Sequence, residues 1–284
     1  MRQPIIFIGM HRSGTSMIGQ LLETLGLFSG TRKDENNEAI FFQRLNEWLM
    51  AQCGARWDVP QATQYLWKNE ELLAWIDDYI RHLLDNPRAM HFIGLRCYLI
   101  MGGITQLNLQ WGWKDPRNTF TLPLWLRIYP EAKVLYIERH GVDVAQSLRV
   151  RSQKEFTSTT RRYQKYRHIV SLWPKWGGLI GSSRCATLQG GFSLWQEYMD
   201  QAREVMQQLP SHRVLKLRYE QVLKDPVPYL RASADFCELD VSNTKLKALT
   251  ARVNASRAYS YLNDLELKEF ASKHQVDLAS RGYE

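Results

Sequence analysis

The fold of this chain is announced in Ile5-Ile6-Phe7-Ile8-Gly9-Met10-His11-Arg12-Ser13-Gly14-Thr15-Ser16-Met17. A short apolar run enters a turn bounded by two glycines, and the turn opens an amphipathic helix. Strand, tight loop and helix together make an anion cradle. Backbone N–H groups at a helix N-terminus point outward, and the helix dipole favours negative charge there.

The spacing from Gly9 to Gly14 is that of a nucleotide phosphate loop. Such a loop continues with Lys and then Ser or Thr. Here Thr15 and Ser16 follow Gly14, and a basic residue, Arg12, lies inside the turn instead. The missing lysine raises the question of which anion this loop would hold.

The rest of the composition narrows the answer. The chain has 284 residues, enough for one large α/β domain, and a net charge of +8. Ten Trp, thirteen Tyr and ten Phe make it rich in aromatics, most of them expected in the core. The basic balance fits nucleic acid, a membrane surface or small anions. No basic block has the spacing of an RNA or DNA module, so a small anionic ligand is expected and nucleic acid is not. Cys53, Cys97, Cys185 and Cys237 form no C-x-x-C pair, so no zinc site is expected and the thiols are read as reduced core residues. No run approaches the length of a membrane span. Met1-Arg2-Gln3-Pro4 leads straight into the first strand without room for a signal peptide, which points to the cytoplasm and to no integral membrane association.

The apolar pattern places a first strand at 4–8 and its helix at 15–25, stopped by Gly26. Helices are expected over 38–52 and 70–84, with 57–67 irregular and 92–109 coil and short helix. A short strand at 111–114 ends in Asp115-Pro116, and a helix follows over 119–129, with Pro123 in its first turn. The clearest later strand is 132–138. A helix then runs from 142 to about 151, and the basic stretch 154–167 reads as a surface segment or lid. Residues 173–191 read as loop, with Pro174 and Gly177-Gly178. Further elements are a helix over 192–209, a strand over 212–217, and helices over 219–223 and 227–237. Strands separated by helices imply a parallel sheet with right-handed crossovers. The expected fold is a three-layer α/β domain over residues 1–284, a parallel sheet with helices on both faces. Ligands in such folds bind beyond the C-terminal strand edge. Gly9–Thr15, Lys114-Asp115-Pro116 and Arg139 all fall there.

Two stretches together resemble the sulfotransferases that use 3′-phosphoadenosine-5′-phosphosulfate (PAPS), in their bacterial-type branch with a P-loop-like fold. One is Gly9-Met10-His11-Arg12-Ser13-Gly14-Thr15-Ser16. The other is Val134-Leu135-Tyr136-Ile137-Glu138-Arg139-His140-Gly141-Val142-Asp143-Val144-Ala145-Gln146-Ser147. The resemblance implies that Arg12, Ser13, Gly14, Thr15 and Ser16 hold the 5′-phosphosulfate, and that Arg139 and Ser147 hold the 3′-phosphate. Arg139-His140-Gly141-Val142-Asp143 stands where the family has Arg-Asn-Pro-Arg-Asp, so the proline is lost. Trp113-Lys114-Asp115-Pro116-Arg117 is similar to the family's Lys-x-Pro segment. Leu217-Arg218-Tyr219-Glu220-Gln221-Val222-Leu223 resembles the stretch whose tyrosine, here Tyr219, lies near the adenine.

Sulfuryl transfer needs two anion sites a nucleoside apart, in-line oxygens, and charge to stabilise the leaving phosphate. Arg12, His11 and Lys114 are the candidates for that charge. A hydroxyl acceptor also benefits from a general base. The resemblance points to the acidic loop Asp34-Glu35-Asn36-Asn37-Glu38, with Glu35 the first choice, Asp115 the second and His11 a further option. The family needs no metal. The acceptor implied is a saccharide, a glycolipid precursor or a small metabolite carrying a hydroxyl, and PAPS would leave as adenosine 3′,5′-bisphosphate. Phe41, Phe42, Trp48 and Trp57 either line an acceptor cleft or pack in the core. Competing readings are a P-loop kinase or NTPase, and a nucleotide-binding protein without catalysis.

Overall fold

The first strand, β1 (Ile5–Gly9), is wholly buried and lies inside a four-stranded parallel sheet. The structure is a computed structural model that describes residues 2–170, 172, 180–251 and 253–283. Backbone contacts divide the chain into two units. One comprises Met1–Arg139 and Tyr198–Ala258, the other His140–Glu197 and Tyr259–Glu284.

In chain order the first unit holds β1, then α1 (Thr15–Leu25), α2 (Ile40–Ala51), α3 (Thr63–Leu66), α4 (Glu70–Asp85), α5 (Met90–Ile93) and α6 (Leu95–Met101). It continues with β2 (Gly112–Lys114), α7 (Asn118–Ile128) and β3 (Lys133–Glu138). The second unit begins with α8 (Gly141–Val170). Helix α9 (Leu188–Gln207) starts in that unit and ends in the first, where β4 (Val214–Arg218), α10 (Tyr219–Lys224), α11 (Pro226–Phe236) and α12 (Asn243–Thr250) follow. The second unit closes with α13 (Leu265–Lys273) and α14 (Gln275–Ser280).

The sheet order is β2-β1-β3-β4, all pairs parallel. Ile5 and Phe7 on β1 share a face with Leu135 and Ile137 on β3 and with Leu217 on β4. That face is covered by Ile18 and Leu22 of α1 and by Leu230 and Ala234 of α11. Ile6 pairs with Trp113 and Val134, which puts these residues on the opposite face. There Trp113 stacks on Phe42 of α2, with centroids 3.9 Å apart, and meets Trp125 of α7 edge-on at 5.0 Å. Both faces are apolar, as a parallel sheet with helical crossovers requires. The expected three-layer α/β arrangement is the one found. In the second unit, Asp143 accepts from Ser260 Oγ and Tyr261 N, both at 2.8 Å, while His140 stacks on Tyr261 at 4.2 Å. The C-terminal segment is thereby tied to the start of α8.

Several local expectations change. Pro123 lies in the interior of α7, not its first turn, because Asn118 N and Thr119 N already bond back to Asp115 and Pro116 carbonyls. Helix α8 runs to Val170 and takes in the segment read as a surface stretch or lid; no Pro or Gly interrupts 152–170. Residues 57–67, read as irregular, contain a 3₁₀ turn (Pro60–Ala62) and α3. Pro174 and Gly177-Gly178 lie outside the described residues. Helix α9 starts earlier than expected and contains Gly190 and Gly191. A Cβ on Gly190 would meet Arg184 O at 2.0 Å, so close packing selects these glycines. Of the four cysteines, Cys185 and Cys237 are buried, Cys53 is half-buried and Cys97 is exposed.

Candidate active site

The phosphate-type loop leaves β1 in a conformation that its sequence permits. Gly9 has φ 140°, and a Cβ there would meet the Ile137 carbonyl oxygen at 2.3 Å. Arg12 has φ 70° and Gly14 φ 88°, so two of three consecutive residues are left-handed. A bulky residue holding positive φ stores strain that the surrounding contacts must maintain. Here Ser13 N bonds to Met10 O at 3.2 Å, and the Thr119 hydroxyl bonds Gly9 N and Gly9 O at 3.1 and 3.3 Å.

The far side of the loop is closed by Tyr219 and Arg139. A Cβ on Gly14 would lie 2.2 Å from Tyr219 Cδ2, so the buried ring rests on the loop backbone. The Arg139 guanidinium carbon sits 4.9 Å from the centre of the same ring, a cation–π distance. Arg139 Nη1 donates to the Arg12 carbonyl at 3.2 Å, and Nη2 donates to the Arg257 carbonyl at 3.3 Å. Loop, ring and guanidinium are therefore one assembly. Ser147 is half-buried on α8, in the second unit.

The lysine absent from the loop arrives from β2. Phe7 pairs with Lys114, which places that side chain on the α1 face of the sheet. Lys114 Nζ donates to Ser16 Oγ at 3.1 Å, to Asn36 O at 2.8 Å and to Glu38 Oε1 at 3.0 Å. Ser16 Oγ in turn donates to Asn36 O at 2.7 Å. Lys114 is buried, and its charge is set against the first turn of α1.

Behind it lies a network of buried charges. Glu38 Oε2 is 3.3 Å from Arg117 Nη1, and Asp115 Oδ1 is 3.1 Å from the same nitrogen. Asp115 Oδ2 accepts from Asn46 Nδ2 at 2.8 Å, and Arg117 Nη2 reaches Glu47 at 2.8 Å. Burial and the neighbouring Asp115 raise the Glu38 pKa, while Lys114 and Arg117 hold it back. Glu35 is exposed, two residues before the left-handed Asn37. His11 is buried against Trp57 at 4.7 Å and Tyr198 at 6.2 Å, both edge-on. Trp57 is half-buried beside it, while Phe41 and Phe42 are core residues and Trp48 is half-buried against Tyr79.

The loop fits an anionic group. Ser13 Oγ is buried and has no hydrogen-bond partner among the described residues, a cost a ligand would remove. Gly14 lets the Tyr219 ring lie against the loop backbone, where a side chain would clash with it. Among the described residues no cluster of His, Cys, Asp and Glu could hold a metal.

The sequence profile of the Sulfotransferase family matches residues 4–243, a span that includes the loop, Lys114, Arg139 and Tyr219. The chain belongs to the sulfotransferase family. Among solved structures it is similar to the sulfotransferase domain from the curacin biosynthetic pathway. That similarity has a TM-score of 0.55 and 16% identity, covering 100% of this chain and 99% of that one. It is also similar to a sulfotransferase from Alicyclobacillus acidocaldarius, with a TM-score of 0.50 and 16% identity over 98% and 94% of the two chains. At such identities the likeness concerns the fold. No curated protein sequence matches this chain.

One acid of this buried charge network was not singled out from the sequence. Glu38 is three positions beyond Glu35 and reads as one more acid in a polar loop. Its partners Lys114 and Arg117 are 76 and 79 residues away, so nothing local reveals its burial. The available signal was its position directly before the apolar run of α2.

Proposed function

We propose that this sulfotransferase transfers a sulfuryl group from PAPS to a hydroxyl, with a saccharide, glycolipid precursor or small metabolite as acceptor. The observation that carries the reading is the set of cations around a loop without its own lysine. Lys114 stands at Ser16 and Arg139 at the Arg12 carbonyl, with Tyr219 against Gly14. When bound, PAPS supplies a sulfuryl group whose leaving group is the 5′-phosphate.

Each residue then has a task. The N–H groups of Ser13 to Ser16 and the Ser13 hydroxyl bind the 5′ end, and Arg12 adds charge from within the turn. Lys114 stabilises negative charge growing on the leaving oxygen. Tyr219 offers a ring near the adenine. Arg139 holds the 3′-phosphate, a role for which a forked guanidinium is suited, and Ser147 is its proposed companion. Among Glu35, Asp115, His11 and Glu38, we favour Glu38 for the acceptor proton. Its raised pKa and its contact with Lys114 suit that task, whereas Asp115 Oδ1 accepts from Arg117 N before α7 and Oδ2 accepts from Asn46 of α2.

Titration with adenosine 3′,5′-bisphosphate, and separately with ATP and magnesium, tests the donor. Tight bisphosphate binding that Arg139→Ala abolishes is expected; preference for magnesium ATP would overturn the reading in favour of a kinase or NTPase. Turnover of labelled PAPS against a panel of hydroxyl acceptors tests the catalysis, and its absence despite bisphosphate binding would indicate a binding protein. Glu38→Gln is expected to lower kcat on the order of 10²–10⁴-fold with bisphosphate affinity kept, and Glu35→Gln to leave kcat near the parent value. The reverse pattern would return the role to Glu35.

A further inference from the structure

The second unit carries a feature that the transfer reaction does not use. Helix α8 spans Gly141–Val170 and is broken at Tyr166, whose φ of −123° and ψ of 19° leave the helical range. Its beginning is built into the unit: Val142, Val144, Ala145 and Leu148 are buried, and Arg149 makes a bidentate pair with Glu266 at 2.6 and 2.9 Å. Beyond Ser152 no described side chain of the helix is buried, and residues 161–169 are exposed on every side of it. A helix held by tertiary packing buries one face; this half buries none.

The chemistry of the exposed half is uneven. Residues 156–169 contain Arg161, Arg162, Lys165, Arg167 and His168, and no acid. They also leave large apolar groups uncovered: Phe156 is 49% exposed, Tyr163 51%, Tyr166 43% and Ile169 59%. Helical spacing sorts the two sets. Phe156 and Tyr163 fall on one side, while Lys154, Arg161 and Lys165 fall on the opposite side; at the break, Lys165 Nζ lies 5.1 Å from the centre of the exposed Tyr166 ring. Arg162 flanks the aromatic side, and beyond the break Arg167 Nε donates to His168 Nε2 at 3.3 Å. Such a helix lies flat in a membrane interface, with rings at headgroup depth and flanking guanidinium groups on lipid phosphates.

We propose that the distal half of α8 docks this protein on an anionic phospholipid surface. Charge complementarity selects this occupant. A second copy would bring two acid-free basic helices together and repel. A soluble polyanion would satisfy the cations and leave the aromatic side bare, whereas a lipid surface uses both sides. Docking of this kind does not cross the bilayer, and none of the described helices is long and apolar enough to do so. The inference does not depend on the sulfuryl-transfer reading.

Sedimentation of the full chain with vesicles tests it, using phosphatidylcholine alone and phosphatidylcholine with about one third phosphatidylserine. Binding to the anionic vesicles only, weakened by salt, is expected. Arg161→Ala with Arg162→Ala should weaken it on the order of 30-fold. Tyr163→Ser with Tyr166→Ser should weaken it at least about tenfold, since apolar burial is lost. Lys165→Glu, a single exposed change, serves as a second charge variant, and thermal unfolding confirms that each variant is folded. Absence of vesicle binding would overturn the proposal. So would vesicle binding indifferent to the tyrosine pair but abolished by a soluble polyanion such as heparin, or a concentration-dependent dimer that the tyrosine pair dissolves.

Discussion

Glu38 and Lys114 form an ion pair from which water is almost excluded, with side-chain exposures of 4% and 5%. Removing one partner of such a pair leaves a buried charge and costs about 3–5 kcal/mol, whereas removing both often costs less. Glu38→Leu and Lys114→Met are therefore expected to destabilise singly by more than the double variant does. Urea unfolding of the four proteins should give a coupling of at least about 1 kcal/mol; additive effects would show that the pair is not a unit. Cys237 makes a different prediction at the same scale. Burial pushes its thiol pKa up from the ordinary value to about 12. Below pH 9 both folded and unfolded chains keep this proton, so its contribution to stability is complete. Between about pH 9 and 12 only the unfolded chain loses it, so stability falls as pH rises, by up to about 4 kcal/mol. Cys237→Ala should flatten that fall in unfolding measurements. Thiol reagents should label the exposed Cys97 in the native protein and reach Cys237 only on unfolding.

The loop between β1 and α1 is the element on which both fold and site depend. Gly14→Ala would combine a left-handed backbone with a clash at the Tyr219 ring. Gly54 has φ 70° but no atom within 4 Å of a Cβ, so Gly54→Ala isolates the conformational cost of about 1–2 kcal/mol. Gly14→Ala should cost more than that in thermal unfolding and weaken bisphosphate binding by more than tenfold; equal effects from the two substitutions would mean that the ring does not press on the loop. This element was legible in sequence because its signals are local: an apolar run, two glycines at fixed spacing, and a helix with Gly26 at its end. The strands at 133–138 and 214–218 were legible for the same reason. The length of α8 was not. Its distal half carries a thin aromatic side among basic and polar residues and none of the repeated aliphatic spacing of a packed helix, so the pattern resembles a solvated segment. Nor was the pairing of Lys114 with Ser16, which depends on the register of β2 against β1. The sequence put Glu35 first for the acceptor proton and the proposal favours Glu38, because only the fold distinguishes an exposed loop acid from one enclosed by Lys114 and Arg117.

Stability across the molecule should be as uneven as its packing. β1 and β3 are the inner strands of the sheet, paired on both sides and covered by apolar side chains. Their amides can exchange with solvent only when most of the first unit opens. The amides of 161–169 also belong to a helix, yet no buried side chain secures it. An isolated stretch of that length is marginal in water, since nucleation is costly and tertiary contacts supply most helix stability. Hydrogen exchange on the free protein is therefore expected to be slowest in β1 and β3 and faster by several orders of magnitude in 161–169. Equal protection of the two regions would show that something in the folded chain covers distal α8, and the docking surface would then be lost. If the helix rests on lipid, anionic vesicles should slow exchange in 161–169 while leaving the strands unchanged. Adenosine 3′,5′-bisphosphate should instead raise the protection of the sheet and loop through binding to the native state. The two ligands thus act on different parts of the molecule, and failure of one response leaves the other to be judged by itself.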